Sequence, residues 1–432
     1  MTSKGDYTEA YVWIWLAGET EPVVAGRLFP EGETLHFNYG KSYLARENAI
    51  PIYDPELPLR PGVLPLLPGL SMPNCIRDAS PDAWGRRVII NKKLGRKGLK
   101  ADNAQLDELT YLLESGSDRI GALDFQRSPT EYVPRLSANA SLEELLQSAE
   151  RVDRGLPLSP ELDHALNHGT SIGGARPKAL LSDHERKYIA KFSSSTDLYS
   201  MVKAEFIAMR LAKLVGLNVA RVSLTQAANR DVLLIERFDR ERIEEGWTRK
   251  SQVSSLTLFE LDEMMARYTS YERLAEIVRY RFTNAKNTLH ELFSRIVFNI
   301  LCGNTDDHAR NHAAFWDGKM LTLTPAYDIC PQGRTGKEAS QAMLISGANR
   351  MSRISSCLDA AQHFQLTREA AISIVENQVR GIVDNWDSVC DEAELTPVDR
   401  AFFWGRQFLN PYAFSGLDTD TEHLKRIAEI YI

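Results

Sequence analysis

Asp306-Asp307-His308-Ala309-Arg310-Asn311, followed after a strand-like run by Asp328, is the stretch on which the reading of this chain turns. Asp306 and Asn311 stand five positions apart. In a D-x-x-x-x-N loop the acid takes the proton of an attacking hydroxyl and the amide holds a magnesium ion. A further acid past a short hairpin, here Asp328, then holds metal against nucleotide phosphates. Asp307 does not keep that spacing to Asn311. The segment reads as a phosphoryl-transfer centre.

Upstream lie the strands such a centre needs. Ala179–Leu181 and Tyr188–Phe192 flank a polar turn at Ser182–Lys187, which places Lys191 on a strand. A helix is predicted from Met201 to Val215, with Ile207, Leu211, Leu214 and Val215 on one face and Gly216 as its stop. Glu205 falls on that helix, where it can hold Lys191 as an ion pair while the lysine reaches phosphates. Val219–Thr225 and Val232–Phe238 add two strands, and nearly everything beyond them has helical periodicity, including Leu289–Cys302 just before the acidic loop. Strands first and helices later make a two-lobed plan.

In the N-terminal third, Tyr11–Leu16, Val23–Leu28 and Thr34–Tyr39 have strand composition and predict an antiparallel sheet. The pattern turns helical from Pro81, and Leu106–Glu114 predicts a second helix ending near Gly116. Ser141 with Glu144 three residues on marks a capped helix start, ahead of a Gly155-Leu156-Pro157-Leu158-Ser159-Pro160 linker. The expected division is an N-terminal module at 1–140, a kinase N-lobe-like region at 141–255 and a helical kinase C-lobe at 256–432. The fold class is α+β, a bilobal protein-kinase-like fold behind a β-rich N-terminal module.

At 432 residues the chain exceeds what one hydrophobic core serves. Hydrophobic residues at 43% and charged residues at 25% are ordinary for a globular protein, and no apolar run approaches the ~20 residues of a spanning helix. The opening Met1-Thr2-Ser3-Lys4-Gly5-Asp6 lacks the apolar core of a signal peptide, so a cytoplasmic location and no membrane association are expected. Five scattered cysteines without a C-x-x-C pair predict buried reduced thiols. A net charge of -7 argues against a dedicated nucleic-acid binder. Lys92, Lys93, Arg96, Lys97 and Lys100 form a local basic stretch whose simplest reading is a solvated loop.

Ser171-Ile172-Gly173-Gly174-Ala175-Arg176-Pro177-Lys178 precedes the first of the central strands, where Gly173 and Gly174 allow a loop to close over phosphates with backbone N–H groups. It lacks the Walker spacing, and a plain turn is the alternative. Ile235-Glu236-Arg237-Phe238-Asp239-Arg240 ends a strand at the lobe junction, as an adenine-binding hinge or as a salt-bridged strand end. His308 and His312, four apart, with Asp306 or Asp307, offer a metal-dependent hydrolase as a second enzyme class, although no H-E-x-x-H is present and His164 and His168 repeat the spacing. A kinase-like scaffold or corepressor without activity is the non-enzymatic alternative.

Taken together, these segments resemble the HipA family of serine/threonine kinase toxins from bacterial toxin–antitoxin systems, over most of the chain. Ser171 to Lys178 resembles the family's S-x-x-G-A-x-x-K loop, Glu236 to Arg240 its E-R-F-D-R hinge, and Thr305 to Asn311 its T-D-x-H-x-K-N loop. Tyr327-Asp328-Ile329 is similar to its metal-binding segment, while Pro81 to Arg86 and Asp118-Arg119-Ile120-Gly121-Ala122-Leu123 resemble landmarks of its N-terminal domain. The resemblance implies ATP and magnesium as cofactors, with Asp306 as base and Asn311 and Asp328 as metal ligands. It places Lys191 on the phosphates, supported by Glu205, with Glu236, Phe238 and His308 among the nucleotide-binding residues and Ser171 as the autophosphorylated serine. Arg176-Pro177 departs from the usual Gln-Glu, and Arg310 from the usual Lys. The partners implied are a helix-turn-helix antitoxin, through which operator DNA is contacted, and a protein substrate such as an aminoacyl-tRNA synthetase.

Overall fold

The computed structural model describes residues 7–94, 106–135, 140–153, 171, 174, 176–193, 197, 199–334 and 336–429. The chain divides into two compact units: residues 1–197, 225–253 and 315–319 form the first, and residues 198–224, 254–314 and 320–432 the second. Helices and sheets are both present, as the α+β reading requires.

In the first unit, β1 (Ala10–Ile14), β2 (Val23–Glu31) and β3 (Thr34–Tyr39) form the predicted antiparallel sheet, joined on the far side of β1 by β4 (Leu123–Gln126) in the order β3-β2-β1-β4. β4 was not anticipated, because its four residues carry too short a pattern to announce a strand; Phe125 opposite Val12 makes the pairing pay by burying both. The helices that follow the N-terminal strands include α1 (Ala83–Leu94) and α2 (Glu108–Glu114), and α3 (Leu142–Asp153) lies beyond β4. The predicted capping box is present: Ser141 N–H donates to Glu144 Oε2 at 2.8 Å and Glu144 N–H to Ser141 Oγ at 3.2 Å.

A second sheet of this unit has the order β5-β6-β8-β7, from β5 (Lys178–Ser182), β6 (Lys187–Phe192), β7 (Val222–Ala227) and β8 (Arg230–Glu236). Trp84 and Val88 of α1 and Leu145, Leu146, Ala149 and Val152 of α3 share one core with Ala190 and Phe192 of β6 and Val232 of β8. The hydrophobic stripes of two N-terminal helices thus cover one face of this sheet, which needs such a cover to leave water. A hairpin, β9 (Arg240–Ile243) and β10 (Gly246–Arg249), follows where helical periodicity was expected. Its Glu-Glu-Gly turn allows Gly246 a φ of 153°, and its short charged strands carry no period-2 signal.

The second unit is mainly helical. α4 (Met201–Leu214) is followed by α5 (Tyr271–Arg281), α6 (Ala285–Leu301), α7 (Arg368–Glu392) and α8 (Glu422–Glu429). α4 buries Ala204, Ile207, Ala208 and Leu211, whereas Leu214 of the predicted stripe is 45% exposed, since the helix ends there. α7 packs on α4 through Gly381, where a Cβ would stand 2.6 Å from Val215 Cγ1. Trp386 fills the interior beside Trp404 and Phe408, with ring centroids 5.0 and 4.9 Å away. All five cysteines are buried and none forms a disulfide. Among the described residues no helix is long and apolar enough to cross a membrane.

Candidate active site

The loop that carries Asp306 begins as the end of α6. Gly303 N–H donates to Ile300 O at 3.2 Å and Asn304 N–H to Asn299 O at 2.8 Å, the paired bonds of a Schellman turn. The turn requires Gly303 at φ 71°, and a Cβ there would meet Gln407 O at 2.7 Å. Two backbone bonds then bracket the loop: Gln332 N–H donates to Gly303 O at 3.0 Å and Ala342 N–H to Thr305 O at 3.0 Å.

Asp306 and Asp307 have opposite surroundings. Asp306 is exposed, while Asp307 is buried and its Oδ2 accepts from Asn299 Nδ2 at 2.7 Å and from Tyr271 Oη, with His312 Nε2 at 3.0 Å. Asn304 Nδ2 in turn donates to Asn299 Oδ1 at 3.0 Å. Burial opposes the charge on Asp307, but His312 and the Tyr271 hydroxyl outweigh it and hold the carboxyl below its usual range. This buried network was not legible in the sequence, because its members come from α5, α6 and the residues after the loop.

The loop closes on itself through a 3-10 turn at Ala309–Asn311. His308 N–H donates to Asp306 O at 2.9 Å, Asn311 N–H to His308 O at 2.8 Å, and Asn311 Nδ2 to Asp306 O at 3.2 Å. Asn311 is thereby tied to the residue it was paired with by spacing. Arg310 makes an ion pair with Glu263 at 3.1 Å, and its carbonyl accepts from Tyr327 Oη at 2.8 Å, which fixes the residue preceding Asp328. Asp328 itself adopts φ 58°, a left-handed conformation unusual outside glycine. Although Asp306 is exposed, the protein around its carboxyl displaces part of its water and pushes it above its usual range, with His308 opposing and the charges of Asp328 and Asp307 adding. Carboxylate and amide oxygens such as those of Asp306, Asn311 and Asp328 are the donors a hard divalent cation takes.

The hydrolase alternative fares differently. His312 Nε2 faces Asp307 Oδ2 inside the unit, and among the described residues no group of three His, Cys, Asp or Glu is placed to hold a metal ion.

The other candidates are divided between the units. Glu205, on α4, is buried within the second. Lys191, in the first, stands on β6 directly opposite Lys178 of β5, and both are buried. Lys178 was quoted in the loop motif without a role; the register places it across from Lys191. Gly174 has φ 100° and donates its N–H to Asp82 Oδ2 at 2.7 Å, and a Cβ there would lie 2.2 Å from Lys178 Nζ, so the lysine tip would have to move aside. Ser171 is buried and its Oγ donates to Asp118 O at 3.2 Å. Gly173 lies outside the described residues, as do His164, His168, Arg96, Lys97 and Lys100. Of the basic stretch, Lys93 pairs with Glu114 at 3.1 Å.

The segment that ends β8 alternates. Glu236 and Phe238 are half-buried, Glu236 opposite Tyr188 with an ion pair to Arg186 at 3.3 Å, and Phe238 edge-on to Phe315 with centroids 5.9 Å apart. Arg237, Asp239 and Arg240 are buried in a salt-bridged cluster.

A family model described as the HipA-like C-terminal domain matches residues 170–386, and one described as the HipA N-terminal domain matches residues 14–126. The chain is 24% identical over 374 residues to a Sinorhizobium fredii protein named "Putative kinase Y4mE", covering 81% of this chain and 84% of that one. It is 29% identical over 184 residues to the serine/threonine-protein kinase toxin HipA of Shewanella oneidensis, covering 37% of this chain and 42% of that one. The solved Shewanella oneidensis complex of HipA, HipB and operator DNA contains a chain of the same fold, with a TM-score of 0.69, 21% identity and 97% of each chain covered.

Proposed function

The chain belongs to the HipA family and is a serine/threonine protein kinase, and on that premise we propose that it is the toxin of a toxin–antitoxin pair, transferring phosphate from Mg-ATP to a protein of the translation machinery, such as an aminoacyl-tRNA synthetase, and to its own Ser171. The observation that carries this reading is the loop after α6, in which Asn311 Nδ2 donates to Asp306 O and Tyr327, the residue before Asp328, is held by its hydroxyl on Arg310 O.

In this reading Asp306, exposed on a loop braced from behind by Asp307, accepts the proton of the substrate hydroxyl. Asn311 and Asp328 hold magnesium. When bound, Mg-ATP supplies the phosphoryl group and offsets the repulsion between the two aspartates. Lys191, supported by Glu205, grips the phosphates, and Lys178, its register partner on β5, shares that work. Gly174, with Gly173, shapes the loop over the phosphates, while Glu236, Phe238 and His308 receive the nucleoside. The working division remains an N-terminal module to residue 140, an N-lobe-like region to 255 and a C-lobe beyond.

By analogy with the Shewanella oneidensis complex, the partner is a helix-turn-helix antitoxin that carries the kinase to operator DNA. Intact-protein and peptide mass spectrometry after incubation of phosphatase-treated protein with Mg-ATP tests the activity. Phosphate is expected on Ser171 in the wild type and none in Asp306→Asn, and ATP binding is expected to be lost in Lys191→Ala. Equal labelling of wild type and Asp306→Asn would remove Asp306 as the base, and a wild type that binds no ATP would overturn the kinase reading.

A further inference from the structure

The turn Asp118-Arg119-Ile120-Gly121 has no part in the chemistry described so far, yet hydrogen bonds from four residues, Ser171, Lys187, Arg237 and Arg240, converge on it. The Asp118 carboxylate accepts from Lys187 Nζ at 2.7 Å, Arg237 Nη1 at 3.0 Å and Arg240 Nη2 at 2.9 Å. Its carbonyl accepts both Ser171 Oγ at 3.2 Å and Arg237 Nη1 at 3.2 Å. Arg119 O accepts from Arg237 Nη2 at 2.6 Å and also from Arg240 Nη2. Gly121 completes the clasp, donating its N–H to Asp239 Oδ2 at 2.8 Å and accepting from Arg240 Nη1 at 2.9 Å.

Three of the five residues in Glu236–Arg240 are therefore consumed by this turn. The remaining two, Glu236 and Phe238, alternate with them and point elsewhere. The same Asp118 that fixes this segment also anchors the loop bearing Ser171, so one residue of the N-terminal module holds both edges of the nucleotide side.

We propose that Asp118 is a positioning residue for ATP, setting the Ser171 loop through its carbonyl and the Glu236–Arg240 segment through its carboxylate. The inference rests on the kinase reading above. Arg237, Arg240 and Lys187 converge on this one carboxylate, so neutralising it leaves three cations with Asp239, which pairs with the two arginines, as the remaining acid, and loosens the segment's hold on the turn. Burial opposes the charge on Asp118, but Arg237, Arg240, Lys187 and Arg249 hold its carboxyl well below the usual range. The N-terminal module, on this view, is a structural part of the nucleotide-binding lobe.

Calorimetric titration of full-length protein with Mg-ATP, alongside thermal melting, tests this with Asp118→Asn, Lys187→Gln and the double variant. Asp118→Asn is expected to bind Mg-ATP about tenfold more weakly while still melting cooperatively, Lys187→Gln about threefold more weakly, and the double variant no worse than Asp118→Asn, because both changes act through one contact. A folded Asp118→Asn with wild-type affinity and only a lowered melting temperature would overturn the inference and leave Asp118 a stability residue. If Asp118→Asn does not fold, Lys187→Gln decides: wild-type affinity there overturns the inference, and weakened affinity supports it. Failure of the wild type to bind Mg-ATP would remove the kinase reading and this inference together, which separates that failure from the others.

Discussion

Asp307 Oδ2 and His312 Nε2 stand 3.0 Å apart in the interior of the second unit, and Tyr271 and Asn299 converge on the same oxygen. The residue beside the proposed base is thus a buried post on which the loop is mounted. Removing one member of such a buried set strands the others, at a cost of roughly 3 kcal/mol or more. Asp307→Ala should lower stability by about that amount and reduce phosphoryl transfer, with Asp307→Asn losing less because its shape is kept. Denaturant melts and autophosphorylation rates check it; wild-type stability in Asp307→Ala would show that the network carries no weight.

Gly303 offers a cleaner test of the loop's geometry. Gly303→Ala combines a left-handed φ with a Cβ 2.7 Å from Gln407 O, whereas Gly336→Ala, at φ 88°, meets nothing within 4 Å. The backbone conformation alone costs about 1–2 kcal/mol. Gly303→Ala should therefore be destabilised beyond Gly336→Ala by the clash term, and equal melting temperatures would place no clash at Gln407.

The pH dependence of the first unit should carry a signature of Glu56. This buried carboxyl accepts Asn74 N–H at 3.1 Å and Cys75 N–H at 2.7 Å, and burial pushes its pKa from 4.5 up to about 7 against those bonds. Between those values the folded state holds a proton the unfolded chain has lost, so stability falls as pH rises from 4.5 to about 7 and then levels. Glu56→Gln, which cannot titrate, should flatten the decline over that window. Melting temperatures of both proteins from acid to mildly alkaline pH measure it, and parallel curves would place the proton elsewhere.

Ser171→Asp should weaken Mg-ATP binding by about tenfold or more. The buried hydroxyl donates to Asp118 O, and a carboxylate in its place can only repel that oxygen. Arg176, next to Pro177, pairs with Asp197 at 3.1 Å and restrains the loop's exit. Undiminished affinity in calorimetry would sink the idea of a self-limiting phosphoserine.

Much of the fold was legible because its signals are local. A hydroxyl and an acid three residues apart suffice for the Ser141–Glu144 capping box, and alternation over six residues suffices for β3. β4 and the β9–β10 hairpin were not, since their pairing energy comes from distant or charged partners that leave no period. Leu214 was assigned to a buried face by spacing alone, and the end of the helix exposed it.

By itself the sequence determined the kind of chemistry, because five-residue spacing from Asp306 to Asn311 and a later Asp328 constrain what a short loop can do. It could not separate Asp306 from Asp307 by environment, nor choose between hinge and salt-bridged strand end for Glu236–Arg240. Tertiary structure decided the first, and at the second it places a salt-bridged cluster of Arg237, Asp239 and Arg240. It buries Asp307 beneath Tyr271, Asn299 and His312 and leaves Asp306 in solvent, and it turns Arg237, Asp239 and Arg240 inward to a turn at Asp118 while Glu236 and Phe238 face the other way. The physical reason is that burial and charge partnership depend on residues from separate elements, Tyr271 and Asn299 for Asp307 and, 119 positions away, Asp118 for Arg237, which only packing brings within 3 Å or so.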